Sequence, residues 1–166
     1  MSEAERCLVV LFSLFRILIL GVPVISIIDD DDSVREATKG LVRSLGYGVT
    51  TFASAEGFLQ SNEINDTECV ISDVQMPGLS GVELQSQLIA DGNCTPIIFI
   101  TASLEERTRA RALKAGAIGV LSKPFNEERL IEYIHTALAA SKTLKVARPG
   151  MTTRQGAMAH LHTGIV

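Results

Sequence analysis

The chain predicts an α/β domain: a doubly wound, five-stranded parallel sheet with helices on both faces. Three observations carry this. Short apolar runs rich in Val and Ile (24–28, 69–71, 96–100 and 118–121) read as buried strands, and the Val- and Thr-rich stretch 48–52 joins them. Each is followed by a segment with helical spacing of apolar residues. Strand and helix alternate five times, which right-handed crossovers turn into a parallel sheet covered on both sides.

In order, Val24–Ile28 forms the first strand and the acidic run Asp29–Asp32 its exit. Ser33 with Glu36 three residues on reads as a capping box opening a helix through Leu45. Val34, Ala37, Leu41 and Leu45 give that helix its buried stripe, and Gly46 stops it. After the second strand, 48–52, Ser54 caps a short helix carrying Phe58 and Leu59. The third strand, with Cys69, Val70 and Ile71 at its core, ends on Asp73, and Pro77-Gly78 forces a turn. A helix follows from the loop ending at Gly81 to about Ala90, with Val82, Leu84 and Leu88 inward. Pro96–Ile100 is the fourth strand, ending at Thr101-Ala102; about Leu104 to Ala115 is a highly charged helix with a narrow apolar face. Ile118–Leu121 is the fifth strand and Ser122-Lys123-Pro124 its exit. Asn126 caps the last helix, with Glu127 and Glu128 in its first turn and Leu130, Ile134 and Leu138 inward.

Three segments result: an apolar N-terminal extension, 1–22; the α/β domain, 23–142; and a tail, 143–166, without apolar periodicity, expected to be flexible. Leu8–Leu20 is almost continuously apolar but holds Arg16 and is shorter than the ~20 residues of a membrane span. Its flank MSEAER and the lack of an A-x-A-like site make it a poor signal peptide. A membrane contact through 8–20, a helix packing on the domain or a partner, and an upstream stretch without a role are the readings, with the last two preferred. The net charge of −4, with neither a basic patch nor a reading motif, argues against a nucleic-acid partner. Cys7, Cys69 and Cys94 are scattered, without a C-x-x-C pair, which argues against a disulfide framework or zinc site and fits a reducing, cytoplasmic compartment.

The strand ends bring chemistry to one edge of the sheet: Asp29, Asp30 and Asp31 from the first, Asp73 from the third, Thr101 from the fourth and Lys123 from the fifth. Two carboxylates ~4 Å apart repel by about 4 kcal/mol at an effective dielectric near 20. Gathering them calls for a cation, and a hard divalent ion such as Mg²⁺ suits a site with few protein ligands and several waters. Asp31 and Asp32 read rather as exposed charges at a helix start. The run is not an EF-hand loop, because alternating spacing and a central glycine are missing. His135, His160 and His162 show no ligand spacing.

Taken together, I-I-D-D-D at 27–31, S-D-V-Q-M-P-G at 72–78, S-G-V-E-L at 80–84, I-T-A at 100–102 and K-P-F at 123–125 closely resemble the receiver domain of two-component response regulators, in particular its FixJ-like group. The resemblance covers about residues 23–140. It implies the flavodoxin-like strand order 2-1-3-4-5. It implies that Asp73 accepts a phosphoryl group from a histidine kinase, a phosphotransfer protein or a small phosphodonor. Mg²⁺ would be held by Asp30, Asp73 and the main-chain carbonyl of Gln75, with Asp29 binding through water. Thr101 would donate its hydroxyl to a phosphoryl oxygen, and Lys123, aimed inward by a cis Lys123-Pro124 bond, would offset negative charge. The family's partner surface falls on about 104–138. The chain departs from the pattern at Val120, where receivers commonly carry Tyr or Phe three residues before this lysine.

The reading expected from these residues is a single-domain receiver that signals through protein partners and catalyses at most its own phosphorylation and dephosphorylation. Only about 25 residues follow the last helix, so direct DNA binding is not expected. The alternatives are an unphosphorylated pseudo-receiver and the receiver fragment of a DNA-binding regulator. A haloacid-dehalogenase-type phosphatase is disfavoured because it needs an aspartate where Gln75 stands.

Overall fold

The computed structural model describes residues 21–103 and 105–147. Strands β1 (Val24–Ile28), β2 (Gly48–Phe52), β3 (Thr67–Asp73), β4 (Ile97–Thr101) and β5 (Gly119–Ser122) form one sheet in the order β2-β1-β3-β4-β5. All four pairings are parallel. The helices are α1 (Asp32–Ser44), α2 (Ala55–Leu59), α3 (Gly81–Ala90), α4 (Glu106–Lys114) and α5 (Glu127–Ala147), with a 3₁₀ turn at Asn62–Asn65. The flavodoxin-like order implied by the resemblance is therefore the one found.

The two-residue period of the strands divides the core in two. Ile25, Ile27, Cys69, Ile71, Ile98, Ile100 and Leu121 face Val42 of α1 and Leu130, Ile134 and Leu138 of α5. Ile28, Val70, Ile97, Phe99 and Val120 face Phe58 of α2, Leu84 and Leu88 of α3 and Ala112 of α4. Since both faces are buried, a one-residue slip would exchange the two sets and mismatch both helix layers. On the second face a hydroxyl chain crosses three strands: the Ser26 hydroxyl bonds those of Thr50 (2.8 Å) and Thr67 (2.7 Å), and Thr67 donates to the Glu63 carbonyl (2.7 Å). These buried hydroxyls thus have partners, as burial demands.

Three local expectations are corrected. Asp31, not Ser33, caps α1: its carboxylate accepts from the Ser33 and Val34 N–H groups at 2.8 and 3.2 Å. An aspartate two residues earlier outcompetes the serine because the chain leaves β1 through an Asx-type turn. The α1 stripe is centred on Thr38 and Val42, with Leu41 and Leu45 half-buried and Ala37 exposed. Finally, α5 continues to Ala147, into the segment expected to be a flexible tail. The extension up to residue 20 and the tail from 148, with His160 and His162, lie outside the described residues.

Candidate functional site

β1 and β3 are neighbours, and the connections leaving them pass to opposite sides of the sheet order, so a crevice opens beyond their carboxyl ends. Asp29 follows β1, its N–H bonded to the Phe52 carbonyl (3.1 Å), and Asp73 closes β3. Both are almost wholly buried, 3 % and 5 % exposed. Lys123, just past β5, spans them: its Nζ donates to Asp29 Oδ2 at 2.8 Å and to Asp73 Oδ2 at 2.5 Å. The bond following it, Lys123-Pro124, is cis, as the resemblance implied. The Lys123 N–H also bonds the Thr101 carbonyl at 2.8 Å, which fixes β5's exit against β4.

Backbone donors hold the remaining oxygens. Asp31 N–H reaches Asp29 Oδ1 and Gln75 N–H reaches Asp73 Oδ1, each at 2.9 Å. Burial raises the Asp29 pKa above its ordinary value, and the hydrogen bonds from Lys123 and the Asp31 amide only partly oppose this. For Lys123, burial acts to lower the pKa, but hydrogen bonds and charge from Asp29 and Asp73 prevail and raise it, so it stays an ammonium.

One carboxylate oxygen from each of Asp29, Asp30 and Asp73 lies within 4.8 Å of the others, Asp30 on the exposed side. Three negative charges meet one ammonium, an all-oxygen set open to water on one side. That donor set fits a hard divalent cation retaining several waters. Thr101 is fully buried at the end of β4; its hydroxyl donates to the Ser103 carbonyl (3.1 Å), not to the carboxylates. Ala102 and Gln75 are exposed at the rim, and Asp31 and Asp32 are exposed on α1. His135 is exposed.

The helix after Asp73 comes unusually close. Gly81 N–H bonds the Val74 carbonyl (3.1 Å), and a Cβ at Gly81 would overlap the Asp73 carbonyl oxygen. Only glycine lets α3 start this near the acidic strand end.

Sequence reasoning missed three contacts. Ser80 and Glu83 form a reciprocal capping box on α3, although the S-x-x-E pattern was there to read. Arg35 of α1 donates to the Asp29 carbonyl (2.5 Å) and pairs with Asp32. Glu56 of α2 accepts from the Leu79 N–H in the loop after Asp73, at 2.7 Å. The last contact joins residues 23 apart and leaves no local signal.

An α/β domain with an acidic trio and an inward lysine at its topological switch point is built to handle phosphate or metal. The profile of the response regulator receiver domain matches residues 25–135, and the chain belongs to that family. It is 44 % identical over 115 residues to the response regulator protein TodT of Pseudomonas putida F1, covering 69 % of this chain and 51 % of TodT. It is 39 % identical over 114 residues to the transcriptional regulatory protein FixJ of Bradyrhizobium diazoefficiens, covering 69 % and 56 %. Among solved structures, the response regulator StyR superposes with a TM-score of 0.71 at 42 % identity, covering 76 % of this chain and 64 % of that one. The chain spans about half the length of the curated relatives it matches. Among the described residues, no helix is long and apolar enough to cross a membrane.

Proposed function

We propose that Asp73 is the phosphoacceptor of a two-component signalling switch, charged by a histidine kinase, a phosphotransfer protein or a small phosphodonor. The observation that carries this is the pairing of Lys123 with Asp73 Oδ2 at 2.5 Å inside the acidic trio. A carboxylate oxygen of Asp73 forms a bond to phosphorus as the donor's P–N or P–O bond breaks, and the donor's leaving group departs with those electrons. Lys123 follows the charge, moving from the carboxylate to a phosphoryl oxygen, while the Gln75 N–H holds the other carboxylate oxygen. Thr101 is read as the hydroxyl donor to the phosphoryl group; to serve, it gives up its bond to the Ser103 carbonyl. Asp30, Asp73 and the Gln75 carbonyl, with Asp29 through water, would hold Mg²⁺, which when bound supplies positive charge to the transferring group.

Signal output is assigned to the surface of α4, β5 and α5, about 104–138, where Arg107, Arg111 and Lys114 are exposed. For its destination, the names of the relatives favour the receiver of a transcriptional regulator over a stand-alone receiver. DNA contact would then belong to a further domain, and the site of action would be the cytoplasm. Treating the chain with acetyl phosphate and Mg²⁺ should add one phosphoryl group, labile to hydroxylamine, and Asp73→Asn should add none. Equal labelling of the variant refutes the assignment; no labelling of either protein supports the pseudo-receiver instead.

A further inference from the structure

We infer that Glu56, outside the acidic trio, is a positioning residue that holds the loop after Asp73 in the shape needed for metal binding. The inference rests on the phosphoacceptor reading above and deepens it.

The loop 74–80 carries the Gln75 carbonyl, the one main-chain ligand assigned to the site. Its first part is tied down locally: Gln75 N–H bonds Asp73 Oδ1 (2.9 Å), Gly81 N–H bonds the Val74 carbonyl (3.1 Å), and Met76 is buried. Its far part, Pro77-Gly78-Leu79, crosses exposed or half-buried ground. There the Leu79 N–H donates to Glu56 Oε1 at 2.7 Å. A carboxylate acceptor makes this stronger than a neutral hydrogen bond.

The fit at this point is close. Gly78 has φ of +76°, and a Cβ there would overlap the same Glu56 oxygen. The loop therefore lies directly on the carboxylate, at a residue without a side chain and in a left-handed conformation. Glu56 itself is placed by α2, whose neighbours Ala55 and Phe58 are buried and whose cap is Ser54. The Glu56 carboxylate thus adds a polar tie to a loop otherwise held by hydrogen bonds at its ends and by Met76 and Leu79 packed on the core. Residues of this kind, touching a ligand-bearing segment but not the metal, commonly set affinity by about 10–100-fold.

The test uses the full chain, with Mg²⁺ affinity read by calorimetric titration and phosphorylation by acetyl phosphate followed across Mg²⁺ concentrations. Glu56→Met keeps an unbranched side chain but removes the acceptor; Glu56→Gln retains one. The Met variant should bind Mg²⁺ about tenfold more weakly. Its phosphorylation rate should return to within about twofold of wild type once Mg²⁺ saturates, because the acceptor and lysine are untouched. The Gln variant should stay within about threefold of wild type in Mg²⁺ affinity, since its amide oxygen still accepts. Three results overturn the inference: a Met variant with wild-type affinity, equal losses in the Met and Gln variants, or a Met variant whose rate stays low at saturating Mg²⁺. A wild type that binds no Mg²⁺ at all refutes the site reading itself, which separates the two failures.

Discussion

Lys123 reaches two carboxylates that no other side-chain cation touches among the described residues. Its own side chain is 16 % exposed, and those of Asp29 and Asp73 are 5 % and 7 % exposed. Removing one member of such a set leaves the others buried and unbalanced, which costs more than the pair ever contributed. Lys123→Met should therefore lower unfolding free energy in EDTA by about 3 kcal/mol, at the low end for buried pairs because the cleft is open on the Asp30 side. Mg²⁺ should restore part of that loss, and chemical denaturation with and without the ion checks both. A variant as stable as wild type in EDTA would mean the carboxylates are relieved by water alone. Residues at this scale were readable where each closes a strand: Asp29, Asp73, Thr101 and Lys123 all sit at strand ends in the structure. Arg35 and Glu56 were not, because their role lies in contacts to main-chain atoms of another segment, which no spacing along the chain encodes.

At the level of elements, a carboxylate fixes where each of two helices begins, and both assignments bear on what the sequence could tell. Of the S-x-x-E pairs Ser33–Glu36 and Ser80–Glu83, only the second is a capping box. The first loses to Asp31, whose carboxylate bonds the first-turn N–H groups, while Glu36 pairs with Lys39 at 2.8 Å instead. Strands were easier to place, because five successive residues facing two cores leave no freedom of register. The Ser80 hydrogen bonds, then the Arg111 charge, hold the Glu83 pKa below its ordinary value. A depressed carboxylate contributes stability above its unfolded pKa, about 4.3, and that contribution is lost as pH falls through the folded value. The melting-temperature gap between wild type and Glu83→Ala should accordingly be open at pH 7 and close as pH drops below about 4.3; a gap independent of pH would assign it to helix propensity. Val120 makes a second case. It is 4 % exposed in the core formed with Phe99 of β4 and Ala112 of α4, where the resemblance leads one to expect an aromatic ring. A short β-branched side chain cannot swing between inside and outside as such a ring does. Phosphorylation should thus change partner affinity or dimerisation only modestly. Val120→Phe should enlarge that change at an unaltered phosphorylation rate, while overpacking costs about 1–3 kcal/mol of stability. A wild-type difference of about a hundredfold (roughly 2.7 kcal/mol) that the variant does not exceed would show that the ring is not limiting.

For the whole molecule, a cation held by the acidic trio would tie folding to its binding. Folding draws Asp29, Asp30 and Asp73 to within 4.8 Å of one another from positions up to 44 residues apart in sequence, a concentration of charge that the unfolded chain does not have. Lys123 answers one of the three charges, and the protein as a whole is already negative, at −4. An ion that binds the assembled site and not the dispersed carboxylates stabilises the fold by mass action. At ten times its dissociation constant the gain is about 1.4 kcal/mol. In a domain of this size that corresponds to a rise in melting temperature of about 3–6 °C. The same ion should do nothing through simple screening, which NaCl at matched ionic strength would reproduce. The expected result is therefore a Mg²⁺-dependent rise that NaCl does not mimic and that Asp30→Ala abolishes. Asp30 is the informative position because it is exposed and bonds neither Lys123 nor the backbone amides that hold Asp29 and Asp73. Its removal takes away a ligand without stranding a buried partner, so an Asp30→Ala protein should match or exceed wild type in EDTA and fall behind once Mg²⁺ is added. An unchanged wild-type melting curve across Mg²⁺ concentrations would remove the metal from this site and leave Lys123 as the ammonium that answers Asp29 and Asp73.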